Sequence, residues 1–172
     1  MKKDEKIIQM IKPDDLKEAM RAWLTGVAIV TGRSGDAFHG MTANSFNSIA
    51  LDPPTVLVAL RHRTRTQQLV RKGQVFAVSI LDVHQVSLAK RFAGQSETNK
   101  PRFEGVETFQ LATGAPLIQN AIAYLDCKVV QDFDVGDTTV FIGEVVASRI
   151  DPGDGKEPLL YFNRQWRRME RP

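Results

Sequence analysis

The stretch HGMTANSFNS, residues 39–48, is the part of the chain that most constrains its fold, and it runs on to LDPP at residues 51–54. Hydroxyl, amide and backbone N–H groups at this density can bind the polar edge of a ligand or a phosphate. A polar edge strand that runs into a turn is the alternative, and periodicity alone does not separate the two. The small polar residues of the stretch are Thr42, Asn44, Ser45, Asn47 and Ser48.

Outward from this stretch, the chain consists mostly of predicted strands joined by short turns. Alternating apolar residues or short apolar runs, bounded by Gly, Pro, Asn and Asp, indicate each strand. Residues 32–36 and 134–137 have the composition of hairpin connections. The predicted strands are residues 27–31, 38–46, 55–60, 74–81, 121–133, 138–150 and 158–162.

A helix is predicted before the first strand. It begins at Pro13, a residue that suits the first helical position, and it ends at Gly26. Side chains at helical spacing give it one apolar face. These side chains are Leu16, Ala19, Met20 and Trp23.

Two further helices are predicted between the strands. One spans residues 66–72 and is closed by Gly73. The other begins at Asp82, where Gln85 three residues later completes a capping box, and Gly94 closes it. Because strands outnumber helices, the pattern predicts a mainly β protein, an antiparallel barrel with a few peripheral helices.

Length and composition favour one globular domain. A chain of 172 residues can bury a substantial core, and we assign residues 13–172 to that domain after a tail of residues 1–12. No apolar run approaches the ~20 residues that span a bilayer. The charged N-terminus lacks the apolar region of a signal peptide. We therefore expect a cytoplasmic protein without a membrane partner.

Cysteine, histidine and charge exclude several function classes. The single cysteine, Cys127, excludes an intrachain disulfide, and its apolar surroundings predict a buried, inert thiol. The histidines, His39, His62 and His84, show no metal-ligand spacing, so we expect no metal site, and we expect His62 to face solvent. The net charge of +3 comes without a long basic helix or an RNA-binding aromatic signature, so we expect no nucleic-acid partner.

Several common catalytic motifs are absent from the sequence. No Gly-x-Gly-x-x-Gly follows a predicted strand, which argues against a Rossmann dinucleotide domain. Gly-x-Ser-x-Gly, Walker A and His-Glu-x-x-His are also missing. Any chemistry must therefore use a different kind of site.

The segment HGMTANSFNSIALDPPTVLVAL, residues 39–60, resembles the signature of the flavin reductase family, whose members supply reduced flavin to two-component monooxygenases. Five other segments occur in family order and at family spacing, so the resemblance covers roughly residues 14–168. They are LTGVAIVT (24–31), RFAG (91–94), GAPLIQNAIAYLDCKVV (114–130), GDTTVFIGEVV (136–146) and PLLYFNRQW (158–166).

The resemblance implies a Greek-key split β-barrel and a homodimer that binds flavin near the subunit interface. It implies hydride transfer from NADH, or alternatively NADPH, to FMN or FAD, and delivery of reduced flavin to a partner monooxygenase. Because flavin carries this chemistry, no catalytic side chain is expected. A flavin carrier or electron-transfer module without reductase activity is an alternative, and a split-barrel enzyme that retains its flavin is another.

The resemblance also implies which residues bind cofactor. The residues of the first segment would lie along the flavin ring edge and ribityl chain. The residues around the second predicted helix would lie near the phosphate. Tyr161, together with Arg164 and Trp166, would lie on the nicotinamide side. The full set is Met41, Thr42, Ala43, Asn44, Ser45, Ser48, Ala59, Leu60, Arg61, Arg65, Thr66, Arg91, Phe92 and Tyr161.

Alternatives remain for some of these residues. Thr66 also suits an ordinary helix N-cap, and Phe92 and Trp166 also suit packing, in the core or at a dimer interface. One position departs from the family pattern. Similar proteins usually have histidine after Gly-Asp in the fourth of those five segments, and here that position is Thr138.

Overall fold

The computed structural model describes residues 11–96, 100–151, 153 and 155–169, so most of the predicted N-terminal tail lies outside the described residues. Strands dominate the described chain. They are β1 (Thr25–Gly26), β2 (Ala28–Ser34), β3 (Ala37–Ala43), β4 (Phe46–Leu51), β5 (Pro54–Arg61), β6 (Val75–Ile80), β7 (Thr108–Phe109), β8 (Leu117–Ile118), β9 (Ala123–Val135), β10 (Thr138–Ile150), β11 (Leu160–Phe162) and β12 (Gln165–Arg167).

Three α-helices accompany the strands. They are α1 (Pro13–Ala19), α2 (Arg65–Gly73) and α3 (Val86–Phe92). A 3₁₀ turn, Met20–Ala22, extends α1, and another, Val83–Gln85, precedes α3. No helix of the described chain is both long and apolar enough to cross a membrane.

The main sheet has seven strands in the order β3-β2-β6-β9-β10-β5-β4, and every neighbouring pair is antiparallel. Strands β3 and β4 follow one another along the chain, yet they form the two opposite edges of this sheet. Smaller sheets of β1-β11-β12 and β7-β8 lie beside it. The prediction of a mainly β, antiparallel fold with a few helices is confirmed, and the hydrogen-bonded ladder stays open between β3 and β4.

Apolar side chains form two core clusters. The first cluster includes side chains of α3, and its fully buried members include Tyr124, Phe92 and Leu117. Phe76 and Phe141 are fully buried members of the second, which also includes a side chain of α2. Each such side chain stabilises the fold by about 1.5–3 kcal/mol relative to an exposed position.

Both predicted hairpins are confirmed, but the connections are shorter than predicted, with two-residue turns at Gly35-Asp36 and Gly136-Asp137. The prediction of one continuous strand over residues 38–46 is wrong. That segment breaks at Asn44-Ser45 and continues as β4 on the other edge of the sheet. Alternation alone could not show this break, because a strand that changes partners keeps its period of two.

The predicted first helix is shorter than its apolar pattern. It ends at Ala22 because Thr25 and Gly26 pair with β11. Its apolar face does not pack within the described chain, since Leu16 and Trp23 are 60% and 65% exposed.

The start of helix α2 fits neither interpretation of Thr66, as an N-cap or as a phosphate-binding residue. Thr64 is the N-cap, and its hydroxyl accepts a hydrogen bond from the Gln67 N–H at 3.3 Å. Thr66 is fully buried, with its hydroxyl 2.8 Å from Nδ1 of His39 on β3. The interpretation of Thr66 as N-cap is therefore wrong.

Gly73 ends α2 as predicted, but for a different reason. The left-handed residue is Gln74, with φ +55°. A Cβ on Gly73 would lie 1.7 Å from the backbone oxygen of Arg33 on β2. The glycine therefore permits close contact between the helix and the sheet.

The capping box and the buried cysteine follow prediction, although the box begins the 3₁₀ turn and α3 itself starts at Val86. His84 N–H donates to the Asp82 carboxylate at 2.9 Å, and Asp82 N–H donates to the Gln85 side chain at 3.0 Å. Gly94 follows the helix with φ +73°. Cys127 is fully buried, and burial raises its pKa to about 12, so the thiolate does not form near neutral pH.

We expect Gly73→Ala to destabilise the protein by about 3 kcal/mol, because the new methyl group meets backbone that cannot rotate away. Gly26→Ala is the control, since nothing lies within 4 Å of a Cβ there. Urea unfolding of both variants measures the difference. Equal stability of the two would show that α2 can move away from β2 at little cost.

Candidate functional site

The centre of the site is the break at Asn44-Ser45. In the described part of the chain, β3 pairs with β2 alone and β4 with β5 alone. An edge strand leaves about half of its backbone N–H and C=O groups without a partner. Two such edges meet at this break, so the sheet offers a ligand backbone donors and acceptors.

Side chains hold the break in place. The Ser45 hydroxyl donates to the backbone oxygen of Ala59 at 2.7 Å, and the Ala59 N–H donates to the backbone oxygen of Ser45 at 3.0 Å. The Asn44 side-chain amide donates to the Thr25 hydroxyl at 3.2 Å. Thr42 donates its hydroxyl to the Ala89 oxygen of α3 at 2.6 Å. These hydroxyls are used internally, which leaves backbone groups and the exposed side chain of Asn47 as available ligand contacts.

Three clefts meet at Asn44. The main cleft, about 530 Å³, lies between the break, the segment before β2 and the outer face of β5. The aromatic cleft, about 200 Å³, is lined by Tyr161 and Trp166 together with residues after α3. The basic cleft, about 310 Å³, lies between the end of α1 and the β11–β12 hairpin. A ligand larger than any one cleft could therefore extend into another.

The outer face of β5 and β10 extends the main cleft. Residues directly opposite in an antiparallel pair point to the same side. Ala59 lines the cleft, and Arg61, two residues along β5, is opposite Thr138. Thr138 therefore lies on the cleft-lining face, about 7 Å along the strand from Ala59.

The aromatic cleft has a rigid wall. Tyr161 and Trp166 face each other across β11 and β12, and their rings meet edge to face with centroids 5.1 Å apart. Thr25 pairs with Tyr161 in the same small sheet. Packing of Trp166 is confirmed, and the pair still presents ring surface to the cleft.

Basic groups surround the start of α2. His39 is half-buried between β3 and α2, and its pKa falls to about 4 through burial and the nearby charges of Arg102 and Arg65. Its imidazole is therefore neutral near pH 7. Arg61 is exposed and 3.5 Å from the Asp137 carboxylate. Arg65 is exposed at the first position of the helix.

A carboxylate ties this helix to the β9–β10 hairpin. Asp134 accepts hydrogen bonds from Arg71, from Thr139 at 2.8 Å and from His62 at 3.1 Å. These contacts, Arg71 first, lower the pKa of Asp134 to about 2. His62 was predicted to face solvent; it is only partly exposed, since its side chain contacts this carboxylate. The hairpin that carries Thr138 is thus held against α2.

The structure brings part of the predicted site together. The following predicted residues line the clefts around Asn44: Thr42, Ala43, Asn44, Ser45, Ala59 and Tyr161. Arg61 and Arg65 are exposed near α2 without lining these clefts.

Three predicted contacts need correction, because Leu60, Thr66 and Phe92 have no exposed surface. Leu60 points to the inner face of β5, and Phe92 packs edge to face against Phe103, with ring centroids 5.0 Å apart. In this structure none of the three can touch a ligand. Phe92 is a core residue, the alternative named above.

Three other predicted residues lie away from the clefts. Met41 packs against the second core cluster. Ser48 is opposite the buried Val56, on the other face of β4 from the main cleft. Arg91 lines a separate cleft of about 440 Å³ and donates to the backbone oxygens of Pro101 and Glu104. Residues two apart at the end of a helix point to different sides, so Ala93 faces the aromatic cleft while Arg91 faces away from it.

The sequence interpretation missed the segment before β2. Residues from Trp23 to Ala28 form one wall of the main cleft. The apolar pattern assigns most of them to a helix and its end. The segment LTGVAIVT, which belongs to the family resemblance, carries the signal for this wall.

Comparisons with known proteins identify the family of this chain. The model of the flavin reductase like domain matches residues 20–170. An NADH-dependent flavin reductase of a Rhodococcus species is 34% identical over 164 residues, covering 93% of this chain and 88% of its own. The reductase component of 4-hydroxyphenylacetate 3-monooxygenase from Thermus thermophilus is 30% identical, covering 91% and 96%.

Solved structures give the same result. The flavin reductase PheA2 in its native state superposes with a TM-score of 0.84 at 34% identity, over 94% of this chain and 100% of that one. The NADH:FAD oxidoreductase SgcE6 of Streptomyces globisporus, in complex with NAD and FAD fragments, superposes with a TM-score of 0.82 at 33% identity, over 94% and 97%. With a family model that covers most of its length and relatives above 30% identity, this chain belongs to the flavin reductase family.

Proposed function

We propose that this protein is an NADH-dependent flavin reductase that supplies reduced flavin to a partner monooxygenase. The observation that carries the proposal is the open sheet edge at Asn44-Ser45, where clefts suited to a flavin and a nicotinamide meet. Bound flavin would supply the redox chemistry, accepting at N5 the hydride from C4 of the nicotinamide. Relatives named as NADH-dependent reductases and as monooxygenase reductase components support this function.

The break would hold the flavin ring. Backbone groups from Ala43 to Ser45 can pair with the polar edge of an isoalloxazine, and the apolar surface of Leu57 and Ala59 can contact its face. The fixed position of Asn44 against Thr25 orients that edge without a charged side chain. FMN and FAD share the ring, so either fits this part of the site.

The nicotinamide would use the aromatic cleft and the adjacent strand face. Tyr161 and Trp166 offer ring surface against which a planar group can pack. Thr138 offers only a hydroxyl, which already donates to the Asp137 carboxylate at 3.1 Å. We therefore infer that turnover depends on positioning by the clefts rather than on a proton-transferring side chain.

We further propose that residues 13–172 form one split-barrel domain, that two copies associate, and that the protein acts in the cytoplasm. Exposed apolar side chains support association, since large apolar patches mark interfaces. They include Leu16, Met20, Trp23, Leu24, Leu51 and Ile150. A partner subunit would cover the face on which the main cleft opens.

A flavin carrier without reductase activity is the second candidate, because Thr138 replaces the expected histidine. Oxidation of NADH and of NADPH, recorded with and without added FMN or FAD, separates the two. Turnover that requires added flavin supports the reductase. Tight flavin binding without oxidation of either nucleotide supports the carrier.

We expect Arg65→Ala to weaken the binding of FMN by about 1.5–3 kcal/mol and the binding of riboflavin much less, because only FMN carries a phosphate that this residue can bind. Fluorescence titration with both ligands measures the difference. Lys72→Ala, at the other end of α2, is the matched control and should leave the FMN-to-riboflavin ratio unchanged. Equal losses for both ligands in Arg65→Ala would place the phosphate elsewhere.

Light scattering should show a particle of about twice the 19.2 kDa chain mass. Leu24→Asp should shift the protein toward monomer and weaken flavin binding together, because it places a charge on the apolar wall of the main cleft. Asp36→Lys, at the β2–β3 turn, controls for a changed surface charge. A wild-type monomer with undiminished flavin affinity would refute the dimer.

Thr138→His should raise kcat/KM for NADH by about tenfold, equal to about 1.4 kcal/mol of transition-state stabilisation. It should also introduce a pH dependence near the ordinary histidine pKa of ~6.5. Thr138→Asn, polar but without a titrating group, is the control. If wild type already turns over NADH rapidly and Thr138→His matches it, this position does not limit the reaction.

A further inference from the structure

The β11–β12 hairpin has an unusual residue at its tip. Phe162 pairs with Gln165, so Asn163 and Arg164 form a two-residue turn. Their φ angles are +48° and +59°. Hairpin turns with two positive φ angles favour Asn at the first position and Gly at the second. Arg164 therefore occupies a backbone conformation that disfavours its side chain.

The side chain at this strained position faces the basic cleft. Arg164 lines it together with Lys17 and Arg21 of the α1 segment. The Asn163 N–H donates to the Arg21 backbone oxygen at 3.2 Å, which fixes the turn against that segment. Three cations thus line this cleft, two from the α1 segment and one from the hairpin.

Carboxylates neutralise only part of this charge. Lys17 pairs with Asp14 and Arg21 with Glu18, each at 2.8 Å, and both carboxylates are largely exposed. Within the described residues, the Arg164 guanidinium has no hydrogen bond or ion pair, and the buried Nε of Arg21 has no partner either. The cleft therefore retains a net positive charge and unused N–H donors.

The basic cleft is continuous with the proposed redox site. It shares Thr25 with the main cleft, Tyr161 with the aromatic cleft, and Asn44 with both. A dinucleotide whose reactive ring lies at Asn44 has a pyrophosphate several ångströms away, and this cleft is where that arm can reach cations. Guanidinium groups bind phosphate oxygens through charge-assisted hydrogen bonds.

We propose that Arg164, assisted by Lys17 and Arg21, forms a subsite for the pyrophosphate of NADH. The FAD pyrophosphate includes the FMN phosphate, which the proposed function places near Arg65, so NADH is the dinucleotide that fits here. This inference rests on the proposed reductase function. The strained turn is maintained because the guanidinium at its tip binds the phosphate. The subsite makes the enzyme favour NADH over reduced nicotinamide mononucleotide.

Arg164→Gly tests the proposal, because it removes the guanidinium and gives the turn its favoured residue. With FMN fixed, kcat/KM is measured for NADH and for reduced nicotinamide mononucleotide. With NADH fixed, it is measured for FAD and for FMN. We expect the ratio for NADH over reduced nicotinamide mononucleotide to fall about tenfold and the ratio for FAD over FMN to stay within twofold of wild type. The unfolding temperature should be equal to or above that of wild type.

Controls separate this subsite from general charge effects. Arg168→Gln removes an exposed charge on the same segment and should keep both ratios at the wild-type value. Inorganic pyrophosphate should inhibit wild type competitively and inhibit Arg164→Gly at least fivefold less.

Two results would overturn the subsite. One is an Arg164→Gly variant whose ratio for NADH over reduced nicotinamide mononucleotide stays within twofold of wild type. The other is a shift in the monomer–dimer equilibrium with unchanged ratios, which would make the basic cleft a subunit contact. A wild type that oxidises no reduced nicotinamide with any flavin would instead refute the proposed function. In that case the affinities for NADH and for reduced nicotinamide mononucleotide, measured by titration, still test Arg164.

Discussion

The site depends on one feature of the hydrogen-bonding pattern: the main sheet does not close between β3 and β4. Because these strands are consecutive in the chain but lie at opposite edges of the sheet, both present unpaired backbone groups where Asn44 and Ser45 connect them. Exposed edges usually invite association. Here three clefts converge on the junction, so the open ladder provides polar contacts beside apolar surface.

That junction is useful only if it is rigid, and contacts from several elements make it so. Ser45 is bonded to β5, Asn44 to β1 and Thr42 to α3. At the end of the main sheet next to α2, Asp134 holds the β9–β10 hairpin against this helix through Arg71. The low pKa of Asp134 keeps that carboxylate ionised well below neutral pH, so this connection persists over the working range.

Local patterns predicted most of the longer strands, both hairpins and the capping box at Asp82, because each depends on neighbouring residues. The break at Asn44 was not predictable from alternation, since a change of pairing partner leaves the period intact. Thr64 and Thr66 are equally good caps by type, and the contact with His39 decides between them. The family resemblance named residues by segment, and burial within each segment then separated Ala59 from Leu60.

The absence of a recognisable catalytic motif follows from the same geometry. Motifs identify side chains, whereas this site offers mainly backbone groups, and its hydroxyls at Thr42 and Ser45 are already used within the protein. Few charged side chains surround the proposed ring position, so in the proposed reductase shape and edge hydrogen bonds would supply most of the binding energy. Such contacts would orient a flavin for hydride transfer and still let it dissociate, as a protein that passes reduced flavin to a second enzyme requires.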